Sequence, residues 1–171
     1  VVIPCSIAWV PVQIIGNSAF YNKQLTSVII PNSVISIVSH AFYNNLITSI
    51  DLNITDIWPW AFQYNLLTNI TIPPWTTFIS SDTFASNQLT SINLPSSLQG
   101  IGNRAFAHNQ LTSVNIPNTV TGISWWAFND NLFPENEAFI YNRTITWSID
   151  PTVVMSYENK KKNVTIPNSV I

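Results

Sequence analysis

The side chains able to do acid–base, nucleophilic or metal chemistry are few and scattered. The two histidines, His40 and His108, have no third metal ligand near them and no H-x-x-x-H or C-x-x-C spacing. Cys5 is the single cysteine, which excludes an intrachain disulfide and a cysteine-based metal site. A lone thiol of this kind reads as a small buried hydrophobe. Glu135 and Glu137 are near enough in sequence to suggest a carboxylate pair, but they lie beside Pro134 in an irregular stretch without a partner base or electrophile. No G-x-S-x-G or phosphate-cradling loop is present, and Gly16 and Gly102 stand in short GNS and GNR turns. The expectation is a protein that is not an enzyme and has no catalytic residue, metal or cofactor.

Composition narrows the remaining classes. Of 171 residues, 46% are hydrophobic and only 8% charged, the latter about a third of the usual share. That is too apolar for a disordered chain. A net charge of −2 and the lack of a basic stripe argue against nucleic acid. No apolar run approaches the ~18 residues of a membrane span. The opening VVIPCS carries neither a start methionine nor a signal peptide, and reads as a mature form, a fragment or a partly known sequence.

What positions the side chains is a repeat. Phenylalanines at 20, 42, 62, 84, 106 and 128 are spaced 22, 20, 22, 22 and 22 residues apart. Each follows a small residue (Ala19, Ala41, Ala61, Thr83, Ala105, Ala127) and stands five residues after an isoleucine: Ile15, Ile37, Ile57, Ile79, Ile101 or Ile123. Three residues after Phe comes Asn45, Asn65, Asn87, Asn109 or Asn131, with Lys23 the one substitute. Then follows L-T-S-V-x-I-P or a close variant, as in LTSVIIP from Leu25 and LTSVNIP from Leu111. A period near 22 with apolar residues at L-x-x-V-x-I is a leucine-rich-repeat pattern. One such coil cannot bury its own side chains, so stacked coils must share a continuous inner column. The Val and Ile alternate with outward side chains, which predicts a short strand over this segment, ended by proline. The asparagine ladder is expected to bond turn backbone in its own and adjacent coils.

The phrase LTSVxIPxSVxxIxxxAFxxN resembles the BspA-like (Treponema pallidum-type) leucine-rich repeat over roughly residues 14 to 131, resuming in NVTIPNSVI at the C-terminus. The resemblance implies a right-handed solenoid with short parallel strands on one face and turns and irregular or 3-10 segments on the other. It also implies an extracellular or cell-surface location and a role in adhesion or in binding protein or glycan. The expected organisation is one solenoid over 1–171 of roughly seven to eight coils. Residues 1–24 form an irregular first coil with about five residues beyond its counterparts, 25–131 the regular coils, and 132–171 an irregular coil and a partial last one. In that last part, Ala138 to Asn142 echo the Ala-Phe turn, TITWSIDP suggests an irregular strand, and Lys160, Lys161 and Lys162 a solvated edge. Neither end has a polar cap, so head-to-tail stacking of further copies into a filament is the alternative reading.

Candidate contact residues come from outward columns. The position two before Phe holds Ser18, His40, Trp60, Asp82, Arg104 and Trp126, and Trp58 and Trp125 lie in adjacent columns. Large aromatics there suggest a contact surface or sugar-stacking sites, or indoles lying flat over their own coil. At about 4.8 Å per coil, Trp60 and Trp126 stand about 14 Å apart and form two patches. Ser27, Ser49, Asn69, Ser91 and Ser113, with Ile29, Asp51, Thr71, Asn93 and Asn115, predict a nearly uncharged polar face suited to carbohydrate, another solenoid or water. The threonines at 26, 48, 68, 90 and 112 make a regular row that also admits an ice or mineral surface. Sequons at Asn53, Asn69, Asn142 and Asn163 are N-glycosylation candidates if the source glycosylates secreted proteins.

Overall fold

The computed structural model describes residues 1–133, which wind into stacked coils of a leucine-rich-repeat solenoid. The inner column is built as the spacing requires. Val28, Ile50, Ile70 and Ile92 are buried, while Ile29, Asp51, Thr71 and Asn93 beside them face out. Phe42, Phe62, Phe84 and Phe106 are fully buried. Together with Phe20 and Phe128 they stack face to face, with ring centroids 5.3, 5.3, 5.9, 5.7 and 5.5 Å apart along the array. At about 1.5–3 kcal/mol for each large side chain removed from water, this column is a main source of cohesion between coils.

The paired strands are not where the sequence places them. L-T-S-V-x-I-P carries only the isolated parallel bridges Val2↔Ile29 and Thr71↔Asn93. The ladders lie past the proline, at the isoleucine five before Phe. Strands β3 (Ile14–Ile15), β4 (Ser36–Ile37) and β5 (Asp56–Ile57) pair in parallel, as do β6 (Phe78–Ile79), β7 (Gly100–Ile101) and β8 (Gly122–Ile123). Alternation reports which side chains are buried and not which amides pair. At the start of each L-T-S-V segment an asparagine side chain already occupies the backbone donor.

That asparagine is the most repeated polar device in the fold. Asn87 Oδ1 accepts from the Leu67 amide at 3.0 Å, and its Nδ2 donates to the carbonyls of Phe62 at 3.0 Å and Phe84 at 3.2 Å. Asn45, Asn65, Asn109 and Asn131 repeat the arrangement, each joining its own coil to the preceding one. Lys23 departs from the column, and the Phe20 carbonyl that an asparagine there would hold is met by Asn45 from the next coil at 2.8 Å.

Around each phenylalanine the chain turns sharply. The residue two before it (Ser18, His40, Trp60, Asp82, Arg104, Trp126) has φ between 53 and 62°, and the residue two after it (Asn22, Asn44, Tyr64, Ser86, His108, Asp130) between 52 and 57°. Both columns are left-handed although neither contains glycine. The α-left region costs an ordinary L-residue on the order of 1 kcal/mol.

Two places break the regularity. The extra residues of the first coil form an antiparallel hairpin, β1 (Ser6–Ile7) and β2 (Val10–Pro11), whose two-residue turn is Ala8-Trp9. The other break falls beside the 20-residue coil, where β5 and β6 do not pair and the ladder divides into two sheets. Val38, Trp58, Gly102 and Ser124 each donate a backbone amide to the isoleucine of the preceding coil at 2.7–2.9 Å. At this seam the Ser80 hydroxyl instead donates to the Ile57 carbonyl at 2.8 Å. A crevice of about 20 Å³ opens there between Thr55, Ile57, Thr76, Ser80 and Thr83, room for about one water molecule.

Candidate contact surface

The left-handed turns form a rim on which the aromatic residues stand. Trp60, held at φ 62°, remains 37% exposed and stacks on His40 of the preceding coil, with centroids 5.0 Å apart and planes 12° apart. It thus lies over a neighbouring coil and not over its own. Trp126, at φ 58° and 52% exposed, lies under the Arg104 guanidinium, 5.4 Å from the ring centre, and meets Trp125 edge-on at 6.2 Å. Such stacking and cation–π contacts are worth about 0.5–1.5 kcal/mol, enough to offset the left-handed backbone at each site. Trp58 folds back on its own coil, its Nε1 donating to Asp56 at 2.6 Å, and Asp56 also accepts from Ser36 at 3.4 Å. The fold therefore places Trp58 and Trp60 in one group and Trp125 and Trp126 in another, three coils apart along the phenylalanine column.

Between the groups the rim carries charge. Burial pushes the Asp82 carboxyl above its usual range, and Arg104 and His108 oppose that shift. Burial, with Tyr64, Tyr21 and Asp82 nearby, also raises the Tyr43 phenol. Tyr43 stacks on Tyr21 at 5.0 Å and meets Tyr64 edge-on at 5.3 Å. His108 Nδ1 lies 3.2 Å from Asp130, an exposed surface pair.

On the L-T-S-V side the polar ladder, including Ser27, Ser49, Asn69, Ser91 and Ser113, is exposed, and so is the threonine row. The sequon residues Asn53 and Asn69 are exposed, while Asn142 and Asn163 lie outside the described residues. Glu135, Glu137, the Ala138 to Asn142 turn, TITWSIDP and the three lysines also fall outside them. Cys5 is exposed, contrary to the buried thiol expected from its type: it stands at the base of the hairpin, its carbonyl accepting from the Val12 amide and the Ser33 hydroxyl. Among the described residues no group of three His, Cys, Asp or Glu side chains is placed to hold a metal ion. Nor is any helix there long and apolar enough to cross a membrane.

Sequence reasoning missed five exposed aromatics: Trp9, Tyr21, Tyr64, Trp75 and Phe78. The signal for Phe78 was its neighbour in the next coil, since the ring lies over Gly100, where a Cβ would come within 2.7 Å of it. Trp75 occupies the loop after the Pro73-Pro74 pair and donates from Nε1 to the Ile54 carbonyl at 3.4 Å, across the seam.

Comparison with known proteins fits this architecture. The sequence model of the BspA type leucine rich repeat region matches residues 13–133 in 6 copies. A leucine rich cell surface protein of Faecalibacterium prausnitzii is similar in structure, 28% identical with a TM-score of 0.59, over 77% of this chain and 47% of its own. The pneumococcal vaccine antigen PcpA shares the fold at 18% identity and a TM-score of 0.57, over 70% of this chain and 40% of its own. The chain thus spans less than half the length of either structure. No curated protein matches it. Six consecutive copies over most of the chain, with the asparagine and phenylalanine columns in place, mean that the chain belongs to the BspA type leucine-rich-repeat family.

Proposed function

We propose that this chain is a cell-surface or extracellular binding scaffold, not an enzyme, and that it engages a protein or glycan ligand through the aromatic groups on its left-handed rim. The observation that carries this reading is the tryptophan pair Trp60 and Trp126. Both occupy a backbone conformation that Asn or Asp accepts at lower cost, and both keep much of the indole in solvent. Exposed aromatic faces beside hydrogen-bonding neighbours such as Asp56 and Ser36 suit the apolar face and hydroxyls of a sugar ring, or a protein hot spot. The cell-surface description of the Faecalibacterium prausnitzii relative supports the location.

The test is binding of the purified chain to immobilised neutral glycans and matrix glycoproteins, with Trp60→Ser and Trp126→Ser compared alongside. Truncating an anchoring aromatic is expected to weaken binding about tenfold or more, with the circular dichroism spectrum unchanged. Binding that survives both substitutions removes the rim from the reading. Turnover of any substrate, lost on substitution of a named residue, would overturn it altogether.

A further inference from the structure

The most exposed large hydrophobic side chain among the described residues is not on the rim. Trp9 is 96% exposed at the tip of the β1–β2 hairpin. Ala8 and Trp9 have φ of 47° and 69°, a two-residue turn with both central residues left-handed, which favours Asn-Gly. Trp60 and Trp126 offset their backbone cost by stacking, whereas Trp9 touches almost nothing. A bulky residue held in a disfavoured conformation and pointed into water is an outlier that function explains better than folding does.

The surroundings define what would cover it. Ile7 and Val10, on either side of the tip, are 65% and 66% exposed. Val2, Ile14 and Ile29 add further exposed aliphatic side chains on the first two coils. Val2 and Ile29 face each other across a bridge, in the outward column that later coils fill with Asp51, Thr71, Asn93 and Asn115. Every exposed valine or isoleucine of the described residues lies within the first 35 positions; beyond them the exposed large apolar residues are aromatic or leucine. Lys23 is the one Lys, Arg, Asp or Glu among residues 1–50. A protein pocket asks for a polar, hydrogen-bonding rim around its anchor. The tip from Ile7 to Val10 is wholly apolar with an indole foremost, and the exposed Ser6 stands at its base beside Pro11, which is the chemistry of the boundary between headgroups and acyl chains.

We infer that the β1–β2 hairpin inserts Trp9, with Ile7 and Val10, into the interfacial region of an uncharged lipid bilayer, laying the first two coils against it. The contact is independent of any ligand on the rim. Its strength rests on buried apolar area and not on charge, so it persists at high salt.

The experiment is flotation of the full 171-residue chain with phosphatidylcholine vesicles at low and high salt, beside Trp9→Ser, Ile7→Ser and Trp126→Ser. The expected result is salt-independent association that falls about tenfold on Trp9→Ser, falls less on Ile7→Ser, and is unchanged for Trp126→Ser. Brominated acyl chains should quench fluorescence of the parent chain and lose that excess quenching in Trp9→Ser. Because Trp9 and Ile7 are exposed, Trp9→Ser and Ile7→Ser keep the parent circular dichroism and melting curve. No association of the parent chain overturns the inference, as does association indifferent to Trp9. Light scattering that shows a dimer dispersed by Trp9→Ser, without vesicle binding, would assign the tip to a second copy and equally overturn it.

Discussion

Asn87 shows how much of this fold rests on single polar groups. Its amide holds one backbone donor and two phenylalanine carbonyls, all buried. In Asn87→Ala the Phe62 and Phe84 carbonyls keep Asn65 and Asn109, whereas the Leu67 amide loses its partner. Leaving a buried donor unpaired costs about 1–3 kcal/mol, and Asn87→Ala should lose about that in urea unfolding. Asn87→Asp keeps the acceptor for Leu67 but turns a carboxylate oxygen toward the carbonyls, and should fare no better at neutral pH. Asp82 is the opposite case. Its folded carboxyl titrates above its unfolded value because burial disfavours the charge. The folded state therefore binds the proton more tightly, and this group costs stability that is recovered as pH falls from the folded value toward the unfolded one. Asp82→Asn should raise the melting temperature near neutrality, with the gain shrinking in acid; an unchanged pH profile would refute the burial argument. The asparagine role was legible in the sequence, because a polar residue recurring every 20 or 22 positions beside buried ones needs a repeated backbone partner. The left-handed backbone at Trp60 and Trp126 was not, since their column shows no glycine to announce it.

The strands and turns were read less well than the coils that contain them. The period and the buried columns came directly from Ile, Ala-Phe and Leu-x-x-Val spacing. The position of the ladder did not, because two-residue strands leave no alternation of their own and Gly100 or Ser36 gives no β signal. The five surplus residues of the first coil announced an irregularity but not a hairpin, as Ala8-Trp9 lacks turn chemistry. Close packing between turns gives a sharper test. A Cβ on Gly102 would lie 2.7 Å from the Ser81 nitrogen and 2.9 Å from the Ile79 oxygen, while one on Gly16 meets nothing. Gly102→Ala should cost about 1–3 kcal/mol as forced overpacking, against no loss for Gly16→Ala, both measured by thermal melts. At the seam, Ser80→Ala removes the hydroxyl that joins Ile57 across the break and should cost about 1 kcal/mol.

In a linear array each coil is held by its neighbours alone, so the weakest contact sets where cooperativity can fail. The seam between β5 and β6 divides the ladder into two three-stranded sheets. Hydrogen exchange should show lower protection at residues 76–80 than at the matching positions 98–102, and uniform protection would mean that the phenylalanine column, Asn87 and the turn hydrogen bonds unify the stack across the break. The asparagine ladder also has a direction. Asn45, Asn65, Asn87, Asn109 and Asn131 each reach back to the coil before them. A coil emerging from the ribosome therefore has the amide that opens its L-T-S-V segment clasped only once the asparagine of the following coil has been synthesised. At about 5–20 residues per second, that is a lag of one to a few seconds per turn. Growth during translation should then run as a one-way zipper, in which that amide of the newest coil is open while those of older coils are clasped.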